Sequence, residues 1–344
     1  MPSNNSRMHV NRRTLLKGMA VAGGGFLCGS LPVFAQSKTK LVFMEPYDMA
    51  FEYIHEMNAV VGGHFAKEGL EVDIGSIRNT SAAIQQVVTN QAICARTGLL
   101  DVFRAQDAQS EPVYSVGTSL HKGIFYVVSR ASDPILKPAD FAGKTVGLAS
   151  LGGGTENMLN LLLAGEDVPF DSVERQAIGS NAGNVEVLKQ GRVDAFLATV
   201  ETAILLRRNN EPVEIWAASD FAPLPGGVIL MTKKYAGENS DTVIKFMRAM
   251  RNSALELLDM DPGAALDRIT AKYDVVANED REFRIEAIKA YNDMSVAQGR
   301  ENVMRNVDAV MERSAELASK AGIVEVEDVS RTYTNEFIDA AIAG

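Results

Sequence analysis

The sequence predicts an α/β protein of two lobes, with mostly parallel sheets flanked by helices and a helical C-terminal tail. Three observations predict it. Strand-like and helix-like segments alternate from residue 39 to about 235, the pattern of parallel strands joined by covering helices. The alternating unit restarts near residue 123, which doubles the architecture. Beyond residue 232 only helical periodicity remains. With 344 residues, 46% of them hydrophobic and 23% charged, the chain has the bulk and balance of two globular domains.

The first unit opens with an apolar strand at 40–44, a helix over 51–67 that Gly69 ends, and a strand at 71–76. A helix at 81–90 has Asn79 or Thr80 to cap it. A strand at 92–95, a helix at 99–108 and a strand at 112–116 complete the unit. Apolar and aromatic residues run almost unbroken at 124–129 and open the second unit. It continues with strands at 145–149, 172–178, 194–197 and 213–217, and with helices at 155–164, 185–190 and 201–208. One more strand at 228–231 precedes helices at 242–258, 263–273, 281–297, 301–321 and 335–342. Lobe one is therefore expected at 38–122 plus 225–344 and lobe two at 123–224. The crossings near 121–123 and 223–227 carry the glycines and prolines of hinges.

Residues 1–35 read as an export signal that is removed, leaving a mature protein in the periplasm. Arg12 and Arg13 precede Thr14-Leu15-Leu16-Lys17 and an uncharged run at 18–35 that closes on Val33-Phe34-Ala35. The paired arginines followed by Leu-Leu-Lys resemble a twin-arginine signal, with a general secretory signal as the alternative. The formal charge is −10, and residues 1–35 hold four cations and no acid, so the mature body is more acidic still. Such a body repels phosphate backbones and argues against a nucleic-acid partner. Two cysteines and four histidines are too few for a disulfide framework, a zinc cluster or an iron–sulfur site, so neither metal nor cofactor is expected. Cys28 leaves with the signal, and Cys94 is expected to be buried. His55 and His64 fall nearly opposite on one expected helix and form no metal pair.

Asp140-Phe141-Ala142 and the run Gly143-Lys144-Thr145-Val146-Gly147-Leu148-Ala149-Ser150-Leu151-Gly152-Gly153-Gly154-Thr155-Glu156 resemble the second-lobe opening of ABC-transporter solute-binding proteins. The family in question includes binders of nitrate, alkanesulfonates, taurine and thiamine pyrimidine precursors. Phe65-Ala66-Lys67-Glu68-Gly69-Leu70-Glu71-Val72 is similar to its step from first helix to second strand. Val187-Leu188-Lys189-Gln190-Gly191-Arg192-Val193-Asp194-Ala195 is similar to its helix–glycine–strand step in lobe two. The resemblance covers nearly all of 39–235. It implies the type 2 periplasmic binding protein fold, a small-molecule ligand between the lobes, an ABC-transporter permease as partner and a monomeric receptor. The sequence departs from the family pattern at 92–97 and at Thr199-Val200-Glu201, where ligand contacts are expected. A receptor for a tripartite transporter remains an alternative, as does a binder of a neutral nitrogen heterocycle such as a thiamine pyrimidine precursor. Pyrimidine-forming enzymes share the fold but carry a cysteine-rich motif and an active-site histidine with no counterpart here, so no enzyme is expected.

In such folds the ligand sits at loops following the carboxyl ends of strands. The loop holding Ser150, Gly153, Gly154 and Thr155 joins a strand to a helix. Its glycines let backbone amides approach a ligand, and the helix N-terminus favours negative charge. A tight turn in which Thr155 caps its own helix is the plainer alternative. No lysine follows the glycines, so no P-loop is formed. Arg96 and Thr97 follow the third strand. The guanidinium either offers its fork of donors to a carboxylate or sulfonate, or pairs with an acid such as Asp101. Tyr47 offers an aromatic wall, and Asn79 and Thr80 offer side-chain oxygens or a helix cap. Thr199 and Glu201 follow a lobe-two strand. Glu201 complements Arg96 if the ligand is zwitterionic like taurine, or simply suits a first helical turn. Trp216 is expected in the core and Phe221 in the cleft. The expected ligand is anionic or zwitterionic, of the sulfonate, taurine or carboxylate class, gripped by Arg96 and the 150–155 loop from opposite sides.

Overall fold

The computed structural model describes residues 39–77, 79–106, 112–275 and 280–344. The export signal expected over 1–35, with Cys28, lies outside these residues, as does the end of the helix expected at 99–108. The described strands are β1 (Thr39–Glu45), β2 (Leu70–Ser76), β3 (Cys94–Thr97), β4 (Val113–Leu120), β5 (Phe125–Arg130), β6 (Thr145–Leu148), β7 (Glu174–Ala177), β8 (Ala195–Thr199), β9 (Val213–Ala217) and β10 (Gly227–Thr232). The helices begin with α1 (Ile54–Val61), α2 (His64–Lys67), α3 (Thr80–Val88), α4 (Leu99–Ala105), α5 (Gly154–Gly165), α6 (Asn184–Lys189) and α7 (Val200–Arg208). They continue with α8 (Lys233–Glu238), α9 (Ser240–Asp259), α10 (Pro262–Thr270), α11 (Arg281–Ser295), α12 (Asp308–Lys320) and α13 (Glu336–Ala343).

Two five-stranded sheets result, ordered β2-β1-β3-β10-β4 and β7-β6-β8-β5-β9. In each, four strands point one way, as the strand–helix alternation predicts. The remaining strand, β10 or β5, runs antiparallel to both neighbours. These two strands are the places where the chain enters or re-enters a sheet directly from the other one, without the helical crossover that parallel neighbours require. The chain passes between the sheets twice, at 121–124 and 218–226.

Two expected helices are interrupted. The helix read over 51–67 is a 3-10 turn (Phe51–Tyr53) followed by α1 and α2, because Gly63 adopts φ 73° and breaks the α path. His55 and His64 therefore sit on separate helices; His55 is fully buried, and His64 pairs with Glu256 at 2.9 Å. The helix read over 301–321 begins only at Asp308, after a left-handed turn at Met304 (φ 66°). Elsewhere helical spacing places the core as expected. Met247 and Met250 of α9 are fully buried against the first sheet, and Cys94 is buried and unpaired. The C-terminal helices also reach the second sheet's half, with α11 against α7 and α12 against α5.

Candidate functional site

A cavity of about 330 Å3 opens where the carboxyl ends of β1, β3 and β6 meet the two inter-sheet crossings. The first sheet contributes Pro46 and Tyr47 after β1, Arg96 and Thr97 on β3, and Asp101 and Arg104 on α4. The 3-10 turn adds Glu52 and Tyr53. From the other side come Phe125 at the start of β5, Gly152, Gly153 and Gly154 before α5, Asn157 within α5, and the crossing at 224–226. Phe51 and Tyr53 are both buried, so the turn is anchored by two aromatic side chains and presents the less buried Glu52 between them.

Arg96, only 3% exposed, occupies the floor. Its Nη1 donates to the Glu52 carbonyl and lies 3.9 Å from Glu56 Oε1, and its guanidinium carbon stands 5.0 Å from the centre of the Tyr53 ring. The acid that faces it is therefore Glu56, not Asp101, which pairs with Arg104 at 3.5 Å. Burial opposes the charge on Arg96, but Glu56, Glu52 and Glu45 outweigh it and raise its basicity. Glu45 and Glu56 are fully buried, and among the described residues none of their carboxylate oxygens has a hydrogen-bond partner. Burial, with Glu56 nearby, holds Glu45 well above the usual carboxylate range; burial raises Glu56 as well, against the pull of Arg96. His55 is pushed down to about 3 by burial and by Arg96, so its ring is neutral. Burial also raises Asp101. Two lining groups, the Tyr53 hydroxyl and Thr97 Oγ1, are buried without a hydrogen-bond partner among the described residues. Buried polar groups are normally paired, so these two face the cavity as hydrogen-bonding capacity for a bound molecule.

The 150–155 loop closes on itself. Thr155 Oγ1 accepts from the Ala149 amide at 3.0 Å, and the Glu156 carboxylate accepts from the Gly152 amide. A Cβ at Gly153 would lie 2.4 Å from Ser150 Oγ, so a side chain there would turn the Ser150 hydroxyl away. Glu156 thus places a negative charge at the amino end of α5, where the helix dipole would otherwise meet an anion.

Six expected residues gather at the cavity: Tyr47, Thr80, Arg96, Thr97, Gly153 and Gly154. The other six lie outside its lining. Asn79 caps α3, its Oδ1 accepting from Ala82 at 2.7 Å. Ser150 and Thr155 shape the glycine loop. Thr199 pairs with Phe125 across β8 and β5, and it is Phe125 that lines the cavity. Glu201 accepts from the Tyr291 hydroxyl, joining α7 to α11, because α11 fills the space a ligand would need there. Phe221 stands edge-on to Trp216 at 5.0 Å and packs against the core; Trp216 in turn donates Nε1 to the Ile135 carbonyl at 2.6 Å.

Glu52, Tyr53, Asp101, Arg104, Phe125 and Asn157 escape the sequence reading. Glu52 and Tyr53 fall within the helix expected at 51–67, whose first three residues form a 3-10 turn instead. Asp101 and Arg104 lie one and two turns beyond Thr97, a spacing that a search along helices, rather than loops, would have found. Among the described residues, no helix is long and apolar enough to cross a membrane, and no three His, Cys, Asp or Glu side chains are placed to hold a metal.

Two mixed sheets flanked by helices, with a cavity at the strand ends, define a periplasmic-binding-protein type of fold. Residues 50–265 match the family described as NMT1/THI5 like, and the chain belongs to that family. A formylaminopyrimidine-binding protein from Halalkalibacterium halodurans is 26% identical over 226 residues, covering 63% of this chain and 65% of that protein's length. Among solved structures, the periplasmic aliphatic sulphonate binding protein SsuA of Escherichia coli matches with a TM-score of 0.64 at 15% identity, over 88% of this chain and all of that one. The periplasmic nitrate-binding protein NrtA of Synechocystis matches at 0.59 and 12%, over 89% of each chain. The desulfurization enzyme DSZB has the same fold, at 0.56 and 13%, over 89% of this chain and 99% of that one.

Proposed function

We propose that the protein is a periplasmic solute receptor, exported with loss of residues 1–35, that hands a small ligand to an ABC-transporter permease. Its lobes, each built on one sheet, close about the crossings at 121–123 and 223–227. The ligand is a nitrogen heterocycle carrying amino groups, of the aminopyrimidine kind. One observation carries this choice: the two cationic features that would grip an anion are already engaged within the chain. Arg96 serves Glu56, Tyr53 and the Glu52 carbonyl, and in the glycine loop the Gly152 amide is taken by Glu156, whose negative charge sits in the first turn of α5. What the cavity presents instead is aromatic (Tyr47, Tyr53, Phe125) and carboxylate (Glu52, Asp101). Rings stack on a flat heterocycle, and carboxylates accept from its amino groups. The ligand named for the bacillar relative has this chemistry.

Isothermal titration of the purified mature protein with a formylaminopyrimidine, taurine, an alkanesulfonate and nitrate tests the proposal. Saturable binding of the pyrimidine, at least a hundredfold tighter than any anion, is the expected result. A second reading, a sulfonate or carboxylate, is favoured by Arg104, a half-exposed cation on the cavity wall 3.5 Å from Asn157 Oδ1. Tight binding of taurine or an alkanesulfonate with none of the pyrimidine would establish that reading instead.

A further inference from the structure

We infer that Arg96 is a positioning residue: it holds the turn Phe51–Tyr53 so that the Glu52 carboxylate and the Tyr53 ring face the cavity. Three contacts from one guanidinium fall on residues of this turn or of the α1 turn after it. Nη1 takes the Glu52 carbonyl, the cation lies over the Tyr53 ring, and Glu56 supplies the counter-charge. Apolar packing anchors the turn through the buried Phe51 and Tyr53 rings, and Arg96 adds a polar tie that sets its orientation. Ala50 provides no side-chain cap, and among the described residues both Glu56 carboxylate oxygens are buried without a hydrogen-bond partner. The turn's own backbone links run from Tyr53 N to Ala50 O at 3.0 Å and from Ile54 N to Phe51 O.

Arg96 itself is rigidly placed. β3 lies between β1 and β10, and Arg96 is in register with Ile229 of β10. Room for its head group comes from Gly227 on β10, where a Cβ would lie 2.3 Å from Arg96 Nε and 2.4 Å from Nη2. A planar, fully charged fork is needed to bond a carbonyl, face a carboxylate and stack on a ring at once; a lysine ammonium is a point charge and cannot do all three. Glu56 and Glu52 favour the charged fork although it is buried. The sheet thus transmits its rigidity, through one side chain, to a short turn carrying two of the groups that recognise the ligand. That last clause rests on the heterocycle reading above; the holding of the turn does not.

Two measurements on the mature protein test this. In the unliganded state, amide hydrogen exchange over residues 50–57 is expected to speed up at least tenfold in both Arg96→Lys and Gly227→Ala, with exchange in the second sheet unchanged. Wild-type exchange over 50–57 in a folded Arg96→Lys or Gly227→Ala protein overturns the proposal, whatever the ligand. The second measurement is a double-mutant cycle read by titration with a formylaminopyrimidine. Arg96→Lys is expected to lose about tenfold in affinity alone, and less than about twofold when Glu52→Gln is already present. Equal losses in the two backgrounds would mean that Arg96 grips the ligand directly, and would also overturn it. If Glu52→Gln alone costs nothing, the heterocycle reading fails, while the exchange result still decides whether Arg96 holds the turn.

Discussion

The two walls of the cavity are made of different material. The wall on the first sheet is side chain: Tyr47, Glu52, Tyr53, Arg96, Asp101 and Arg104, backed by the buried Glu45, Glu56 and His55. The opposite wall is largely backbone and apolar, with Gly152, Gly153, Gly154, Phe125 and Leu224, and Asn157 as its one polar side chain. Under the proposed function, chemical selection falls to the first wall, and the second contributes shape. The titratable groups shifted by burial near the cavity follow the same division, since Glu45, His55, Glu56 and Asp101 all belong to the first wall.

The contrast breaks first at Glu52. A hydrogen bond to a charged group contributes about 1.5–3 kcal/mol, so Glu52→Gln should weaken binding of an amino heterocycle by about tenfold to a hundredfold, measured by calorimetry. An unchanged dissociation constant would remove the first wall's claim to recognition.

A second test reads the buried titratable groups through stability. His55 and His121 are pushed by burial to about 3 and about 4, below the ordinary histidine value. Unfolding then takes up protons between those values and about pH 6.5, so stability falls as pH drops through that window. Each histidine contributes a slope of at most about 1.4 kcal/mol per pH unit. Glu45 has the opposite sign: the native state keeps a proton that the unfolded chain releases, so its cost grows as pH rises above about 4.5. Thermal melts of His121→Gln should show a shallower loss between pH 6.5 and 4. Glu45→Gln should raise the melting temperature more at pH 8 than at pH 5. A Glu45→Gln effect equal at both pH values would mean that the carboxyl ionises normally beneath the floor.

The smallest effect is expected on the far wall. Asn157→Ala removes the second wall's only polar side chain at the cavity, and its dissociation constant for the pyrimidine should rise less than about threefold. A tenfold loss would move part of the recognition onto the second sheet and erase the asymmetry.

Strand–helix alternation was legible along most of the chain because apolar spacing is local: the strands that became β1 to β10 were all anticipated within a few residues. The site was legible where it lies on loops at strand ends, as with Tyr47 and the glycine loop; Arg96 and Thr97, read as following the third strand, are its last two residues. It was not legible at Glu52 and Tyr53, because a 3-10 turn and an α-helix share nearly the same apolar spacing over three residues. Nor could local pattern show that α11, some ninety residues further along, would occupy the space beside Glu201.

By itself, the sequence determined the elements, the restart of the α/β unit, the helical tail and the strand ends at which a ligand site would form, all of which follow from hydrophobic period and turn chemistry. Only the tertiary structure decided what Arg96 and the 150–155 loop do. A guanidinium is equally suited to a ligand's oxyanion and to its own chain's carbonyl, ring and carboxylate, and a glycine-rich helix start equally suits an anion and Glu156. Which partner each one takes depends on groups such as Glu56 and Gly227 that are brought to it from distant strands and helices, and on burial, which makes an unpartnered charge too costly to leave free.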